Sequence, residues 1–463
     1  MTCEDGSSLR CHRCWKGAAP VSVVSPVLAV LDQSSVTGRV LGGQVEGLLD
    51  VFAGVPDPRR RRGVRFRLPV VLGLALLAVA CGAIGFAEIA EVAADLGPEL
   101  TAAFGIVRCA PSAATFRRVL CSIDPAALDE ALCRWAGTRT PPATTTGPAT
   151  EAVTGPVRAA GAVPAAAGPA AGPDAEGVPS APGGRGRVVR VISADGKTMR
   201  GARRRTGEGR IAQDQVVEVL DHASGAVLAC EPVPDGDEIG AVRAVMARLT
   251  DRWGSLAGVA FVADAKHTQH KLARQIGAAG GWWLLPVKAN QPSILAKVAA
   301  LPWTQVPAQD TRRDKAHGRA ETRTVRVVQA PRHIDLALAD TAQVVKIARH
   351  TRRPHPGKPT AWTRENAYLL TSLPAEIADP ATLAAMVRSH WLIENQVHWV
   401  RDHAYNEDRH TARSGNGPIN LACLRNTAIT RHRAHGADNI AQALRASARH
   451  ARRALDALTQ HQL

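Results

Sequence analysis

Val387 to Asp402 reads VRSHWLIENQVHWVRD, and the reading of this stretch decides the rest of the chain. Taken as a helix, it sets His390, Glu394, His398 and Arg401 at offsets of four, four and three. All four then line one side, beside an apolar stripe of Met386, Ile393, Val397 and Val400. A carboxylate flanked by basic groups suits a metal ion and a phosphate together. Two further carboxylates stand upstream, each closing an apolar, β-rich run: Asp195 ends VVRVISAD and Asp264 ends VAFVAD. One acid from each of two strands and one from a helix make an oxygen cage suited to Mg²⁺, a hard cation that prefers carboxylates and keeps several waters. Such a cage hydrolyses or transfers phosphodiesters.

Working outward, strand patterns dominate after residue 187: RVVRVISAD, QVVEVLDH and AVLACEP, the last two joined by a turn at Ala223, Ser224 and Gly225. A helix over DEIGAVRAVMARLTDRW follows, then the strand VAFVAD, a helix from about Thr268 to Ala279 and the strand WWLLPVK. Three antiparallel strands, then helix, strand, helix and strand is the order of an α/β, ribonuclease H-like mixed sheet, with acids expected on the first and fourth strands. Asp264 and Glu394 lie 130 residues apart, more than one strand and one helix need. GRAETRTVRVVQAP, AQVVKIARH and NAYLLTSL read as strands of a β-rich insertion, about 303–372. The catalytic segment is expected over 187–410, and a basic helical tail over 411–463, where GPINLACLRNTAITRHRAHG gives a basic amphipathic helix.

Upstream, 42–137 is helical in pattern and is expected to form an all-α N-terminal DNA-binding domain. Asp124 before Pro125 marks one helix start. The helix after Pro111 carries Thr115, Arg117 and Arg118 on a small polar face that fits a DNA groove, or equally the solvated side of a packed helix. Residues 138–186, rich in Ala, Pro, Gly and Thr, lack the apolar surface to offset chain entropy and read as a linker. Residues 1–41 show no sustained period and read as an unstructured extension.

Leu68 to Ala87 passes twenty residues without a charge, behind the basic run Arg59 to Arg62, Arg65 and Arg67. Pro69, Gly73, Gly82 and Gly85 interrupt it, and the amphipathic GFAEIAEVAADLG follows at once, so a buried helix is expected rather than a membrane span. No signal peptide is expected, since Cys3, Glu4, Asp5 and Arg10 break any apolar core.

The 57 Lys and Arg against 41 Asp and Glu give a net charge of +16 and a pI near 10.1. That balance fits a polyanionic partner or a generally Arg-rich proteome. At 463 residues and 45% hydrophobic, the chain should hold two or three domains with real cores. Nine scattered Cys residues favour a reducing cytosol, and Cys11 with Cys14 lacks a second pair to complete a zinc site. A zinc reading of His390, Glu394 and His398 lacks the metalloprotease order and a further ligand. Gly196, Lys197 and Thr198 form no phosphate loop, because Val191 stands where a glycine is needed.

The strings SADGKTMRGA, VADAKHTQ, LPVKANQP, HGRAETR and HWLIENQVHWVRDHAYNED, followed by RSGNGPINLACLRNTAITRHR, closely resemble insertion-sequence transposases of the ISAs type. These are DDE transposases with a ribonuclease H-like core. The resemblance spans about residues 42–435, including RRRRGVRFRLPVVLGLALLAVACG of the associated N-terminal domain. It implies an acid triad of Asp195, Asp264 and Glu394 on Mg²⁺, with Mn²⁺ as substitute, cutting and joining DNA at element ends. Two ions about 3.5–4 Å apart would activate the nucleophile and steady the leaving oxygen. Lys288, His390, His398 and Arg401 are expected at phosphates or around the nucleophile. In the wider group a Tyr, Arg, Glu and Lys signature surrounds the last acid; Val387, His390, Glu394 and Arg401 occupy those places here. The expectation is thus a cytoplasmic, nucleoid-associated transposase acting as a homodimer or larger on DNA. The alternatives are a transposase-derived DNA-binding protein without catalysis, a nuclease without strand transfer and a membrane-attached protein.

Overall fold

The computed structural model describes residues 39–62, 64–137, 187–205, 211–316, 319–352 and 361–460. Residues 1–38 of the extension expected over 1–41, the linker at 138–186, and Cys11 and Cys14 lie outside them, whereas residues 39–41 depart from that expectation by opening a helix. The fold is mixed α/β, built on one nine-stranded sheet in the order β3-β2-β1-β4-β5-β9-β8-β7-β6. β1 (Arg190–Arg205), β2 (Ile211–Asp221) and β3 (Val227–Pro232) pair antiparallel with one another in succession. The last two are joined by the expected turn, where Gly225 takes φ +65° and so avoids a Cβ clash. β4 (Val259–Val262) and β5 (Trp282–Val287) lie parallel to β1.

The β-rich insertion does not stand apart. β9 (Trp362–Thr371) pairs antiparallel with β5, and β8 (Gln343–Arg352), β7 (Arg319–Gln329) and β6 (Asp310–Ala316) continue the same sheet outward. Period-2 patterning identified these strands, but which edge they join depends on a pairing that no local pattern encodes.

Helices cover both faces. α7 (Glu238–Trp253), α8 (His270–Ala278) and α9 (Pro292–Ala299) bury Val242, Met246, Leu249, Leu272, Ile276 and Val298 on the face of Ile192, Val217, Phe261 and Trp283. α7 begins where the Asp237 carboxylate accepts the Gly240 N–H at 2.8 Å, and ends at Gly254 in the left-handed region, φ +74°. On the other face α10 (Pro380–Ser389), capped by Asp379, sets Leu383 and Met386 on Val262, Leu284 and Leu369.

The N-terminal helices and those after residue 410 line a single hydrophobic cluster, although about 280 residues separate them. α1 (39–50), α2 (Leu68–Ala80), α3 (Phe86–Ala94), α4 (Pro98–Ala103), α5 (Ala113–Ser122) and α6 (Pro125–Gly137) enclose it. α12 (Gly417–Ala434), α13 (Ile440–Arg449) and α14 (Ala451–Thr459) complete it, together with Met199, Ala202, Val216 and Cys230 of the sheet. The start of α6 is capped as Asp124 promised, with Ala126 and Ala127 donating to its carboxylate at 3.3 Å.

The apolar run is α2, a 13-residue buried helix. Its last carbonyls are met from far along the chain: Tyr405 donates to Val79 O at 3.2 Å, and His432 contacts Ala80 O at 2.9 Å. Among the described residues no helix is long and apolar enough to cross a membrane. α12 is a correction to the sequence reading. Rather than the basic amphipathic helix expected, it is buried on nearly every side, with Arg425 wholly enclosed. Its polar side chains serve internal partners, as when Asn420 donates to the carbonyls of Leu120 (2.7 Å) and Ile123 (3.0 Å).

Candidate active site

The VRSHWLIENQVHWVRD stretch is not one continuous α-helix. α10 stops at Ser389, His390 and Trp391 turn, a π-helical turn runs from Glu394 to His398, and α11 (Trp399–Ala404) follows. A π turn lets one residue bulge and commonly marks a functional segment. It also divides the expected apolar stripe. Met386 joins the α10 face, Ile393 and Val397 pack on Leu220 and Val227 of β2 and β3, and Val400 joins the helical cluster. Burying Ile393 and Val397 contributes about 1.5–3 kcal/mol each and presses the turn onto the sheet, leaving Glu394 exposed.

Asp195 sits within β1 rather than at its end, another correction. Only Arg190 to Ser193 pair with β4; beyond them β1 continues as a two-stranded ribbon with β2, so Asp195 lies where the sheet narrows. Asp264 lies two residues past β4 and opens a single 3₁₀ turn, accepting the Lys266 N–H at 3.0 Å. Asp195 accepts the N–H of Gly196 at 2.9 Å.

Burial pushes the Asp195 carboxyl up to about 6; His398 and the Gly196 N–H oppose this, while the charges of Glu394 and Asp264 add to it. The three acids therefore share one electrostatic neighbourhood. Among the described residues, however, no three His, Cys, Asp or Glu side chains converge tightly enough to hold an ion as they stand.

His390 is half-buried beside them. Burial lowers its pKa, Asp264 opposing, with the charges of His267 and Lys288 lowering it further. Lys288 is exposed just after β5. His398 is 9% exposed, with Nδ1 3.6 Å from Asp195 Oδ2 and Nε2 2.9 Å from Glu218 Oε2. It bridges Asp195 and a buried glutamate instead of facing a ligand. Arg401 departs from expectation altogether. Fully buried, it forms ion pairs with Glu218 and with Glu407, whose Oε2 lies 2.7 Å from its Nη2, so no phosphate contact is open to it here. Arg117 and Arg118 are exposed on α5, with Arg117 Nη2 3.3 Å from Ser414 Oγ.

Sequence reasoning passed over Glu218, Glu407 and Arg425. Glu218 is the cross-strand neighbour of Asp195, and Arg425 of α12 pairs with Glu407 Oε1 at 2.5 Å. Burial alone would raise both glutamates; Arg401 and His398 hold Glu218 at about 2, and Arg401 with Arg425 hold Glu407 at about 2. The one available signal was Glu218 alone among the apolar residues of QVVEVL, an unlikely place for an unpaired charge.

A family model described as "Transposase DDE domain" matches residues 188–431, and one described as "DDE_Tnp_1-associated" matches 49–136. The chain is 23% identical over 394 residues to a putative transposase, YncI, of Escherichia coli O157:H7, covering 83% of this chain and 87% of that protein. It is 26% identical over 252 residues to the putative protein YbfL of Escherichia coli strain K12, covering 52% of this chain and 63% of YbfL. A piggyBac transposase solved in a synaptic complex with hairpin DNA aligns at 12% identity over 58% of this chain and 52% of its own, with a TM-score of 0.30. That score is too low to bear on the fold. With the DDE domain matching more than half of its length, the chain belongs to the DDE-type insertion-sequence transposases.

Proposed function

We propose that this transposase cuts and joins DNA at the ends of its element, with Asp195, Asp264 and Glu394 as the acids of its active site. The observation that carries the reading is the placement of Asp195 on β1 and of Asp264 just past its parallel neighbour β4, and burial with the two other acids raises the Asp195 carboxyl. Concentrated negative charge in a partly buried place favours a divalent cation. Three carboxylate donors fit Mg²⁺, with Mn²⁺ as substitute, although the side chains would have to close in around it. Bound there, the ion would supply Lewis-acid stabilisation of the phosphoryl oxygens.

The chain's own groups do the rest. Lys288 and His390 flank the acids, so an incoming phosphate meets positive charge and a hydrogen-bond donor; His398, between Glu218 and Asp195, sets an imidazole beside the Asp195 carboxylate. The strand order β3-β2-β1-β4-β5 supports a ribonuclease H-like core over about 187–410, extended by β6 to β9. Residues 42–137, with exposed Arg117 and Arg118, are the proposed end-binding region, and holding two DNA ends asks for at least a dimer.

Loose convergence of the acids favours one second reading, a DNA-binding descendant without catalysis. Purified protein incubated with its own flanking DNA and Mg²⁺ decides between them. Mapped cuts at the element ends, lost in Asp264→Ala while binding persists, are the expected result. Binding without cuts in either Mg²⁺ or Mn²⁺ would establish the silent reading.

A further inference from the structure

A fourth carboxylate lies across this site. Glu238 is the first residue of α7, directly after the Asp237 cap. A Cβ on Gly196 would stand 2.5 Å from Glu238 Cδ and 2.7 and 3.0 Å from its two oxygens, so the residue after Asp195 carries no side chain where Glu238 lies. From that position Glu238 Oε2 accepts from Lys266 Nζ at 2.7 Å, and Oε1 lies 3.1 Å from His267 Nε2. His267 is fully buried, and the same Nε2 is 3.7 Å from Asp264 Oδ1. The hydrogen bond from His267, with that from Lys266, holds the Glu238 carboxyl near 2 against the effect of burial.

We propose that Glu238 is a positioning residue of the active site: reaching over Gly196, it grips His267 and Lys266 and so holds the Asp264 turn beside Asp195. This rests on the reading of Asp195 and Asp264 as acids of one centre. The mechanical need is plain. Asp264 and Asp195 repel each other, and Asp264 stands on a single 3₁₀ turn after a four-residue strand, with little local structure to resist that repulsion. Both Glu238 oxygens are engaged with donors, so it acts through the turn and not as a ligand.

Mn²⁺ binding to the full chain without DNA, followed by electron paramagnetic resonance, gives a readout independent of turnover; Mg²⁺-dependent cleavage of flanking DNA gives the second. Glu238→Gln keeps the shape and removes the charge. It should weaken Mn²⁺ binding and slow cleavage by about 10–100-fold, with the number of ions bound unchanged. Gly196→Ala, which places a methyl against the Glu238 carboxylate, should reproduce the loss, and should add nothing in a Glu238→Ala background. Asp264→Asn is measured alongside. If it loses ion and cleavage while Glu238→Gln retains both, the positioning role is overturned. Loss of a whole bound ion in Glu238→Gln also overturns it, by making Glu238 a ligand. Wild-type behaviour of Asp264→Asn would instead remove the active-site reading beneath it.

Discussion

Asp195 and Glu218 face each other across β1 and β2, yet the two carboxylates are treated in opposite ways. Glu218, fully buried, is tied to Arg401, His398 and Asn426 and stays ionised down to about pH 2. Asp195, on the next strand, has one imidazole 3.6 Å away and two acids in its field, and its carboxyl rises to about 6. The same residue chemistry a few ångströms apart thus makes a scaffold where counter-charge is built in, and a receptive site where it is withheld. Permanently compensated charges fix structure; uncompensated ones await a diffusible partner.

The sharpest way to break the comparison is to remove the scaffold's cation. Arg401→Met leaves Glu218 and Glu407 buried without it and should cost about 3–5 kcal/mol in denaturant unfolding. A loss below about 1 kcal/mol would mean that the network is no scaffold.

Asp195→Asn should act in the opposite direction, stabilising the protein by about 1–3 kcal/mol at pH 7 without divalent cations. A raised carboxyl binds its proton more tightly in the folded state, so its stabilising contribution is complete below about pH 4 and disappears as pH rises through about 6. The difference between wild type and variant should open across that window. Glu218 and Glu407 have depressed values, so their contribution is present above about pH 4.5 and is lost as pH falls towards about 2.

Mg²⁺ sharpens the same contrast. At about a hundredfold excess over its dissociation constant it should stabilise wild type by about 2.7 kcal/mol and Asp195→Asn far less, read as a shift in melting temperature. The smallest effect is expected on the surface. Arg117→Ala with Arg118→Ala should leave stability within about 0.5 kcal/mol while lowering the salt dependence of DNA binding by about two units of slope. An unchanged slope would assign these arginines to a merely solvated face.

The strands and most helices of the sheet were legible because their signals are local. Alternation gave β7 to β9, the Asp237 and Asp124 caps opened α7 and α6, and Gly225 made the turn before β3. The π turn at Glu394 was not legible. It arises because Ile393 and Val397 must meet the β2–β3 hairpin while Val400 meets the helical cluster, two surfaces that helical periodicity alone cannot anticipate. Arg401 was expected at a phosphate and Arg425 was passed over for a related reason. Their charge is visible in sequence, but the carboxylates that neutralise it come from β2 and from the turn after α11.

By itself, the sequence determined the element types, the family and the candidate acids, all of which depend on residue identity and short-range spacing. Only the tertiary structure decided which charges are enclosed and which remain open, that the two helical ends of the chain share one core, and that Glu238 reaches across Gly196 to the Asp264 turn. Burial and ion pairing depend on the distance between groups hundreds of residues apart, and that distance exists only once the chain has folded.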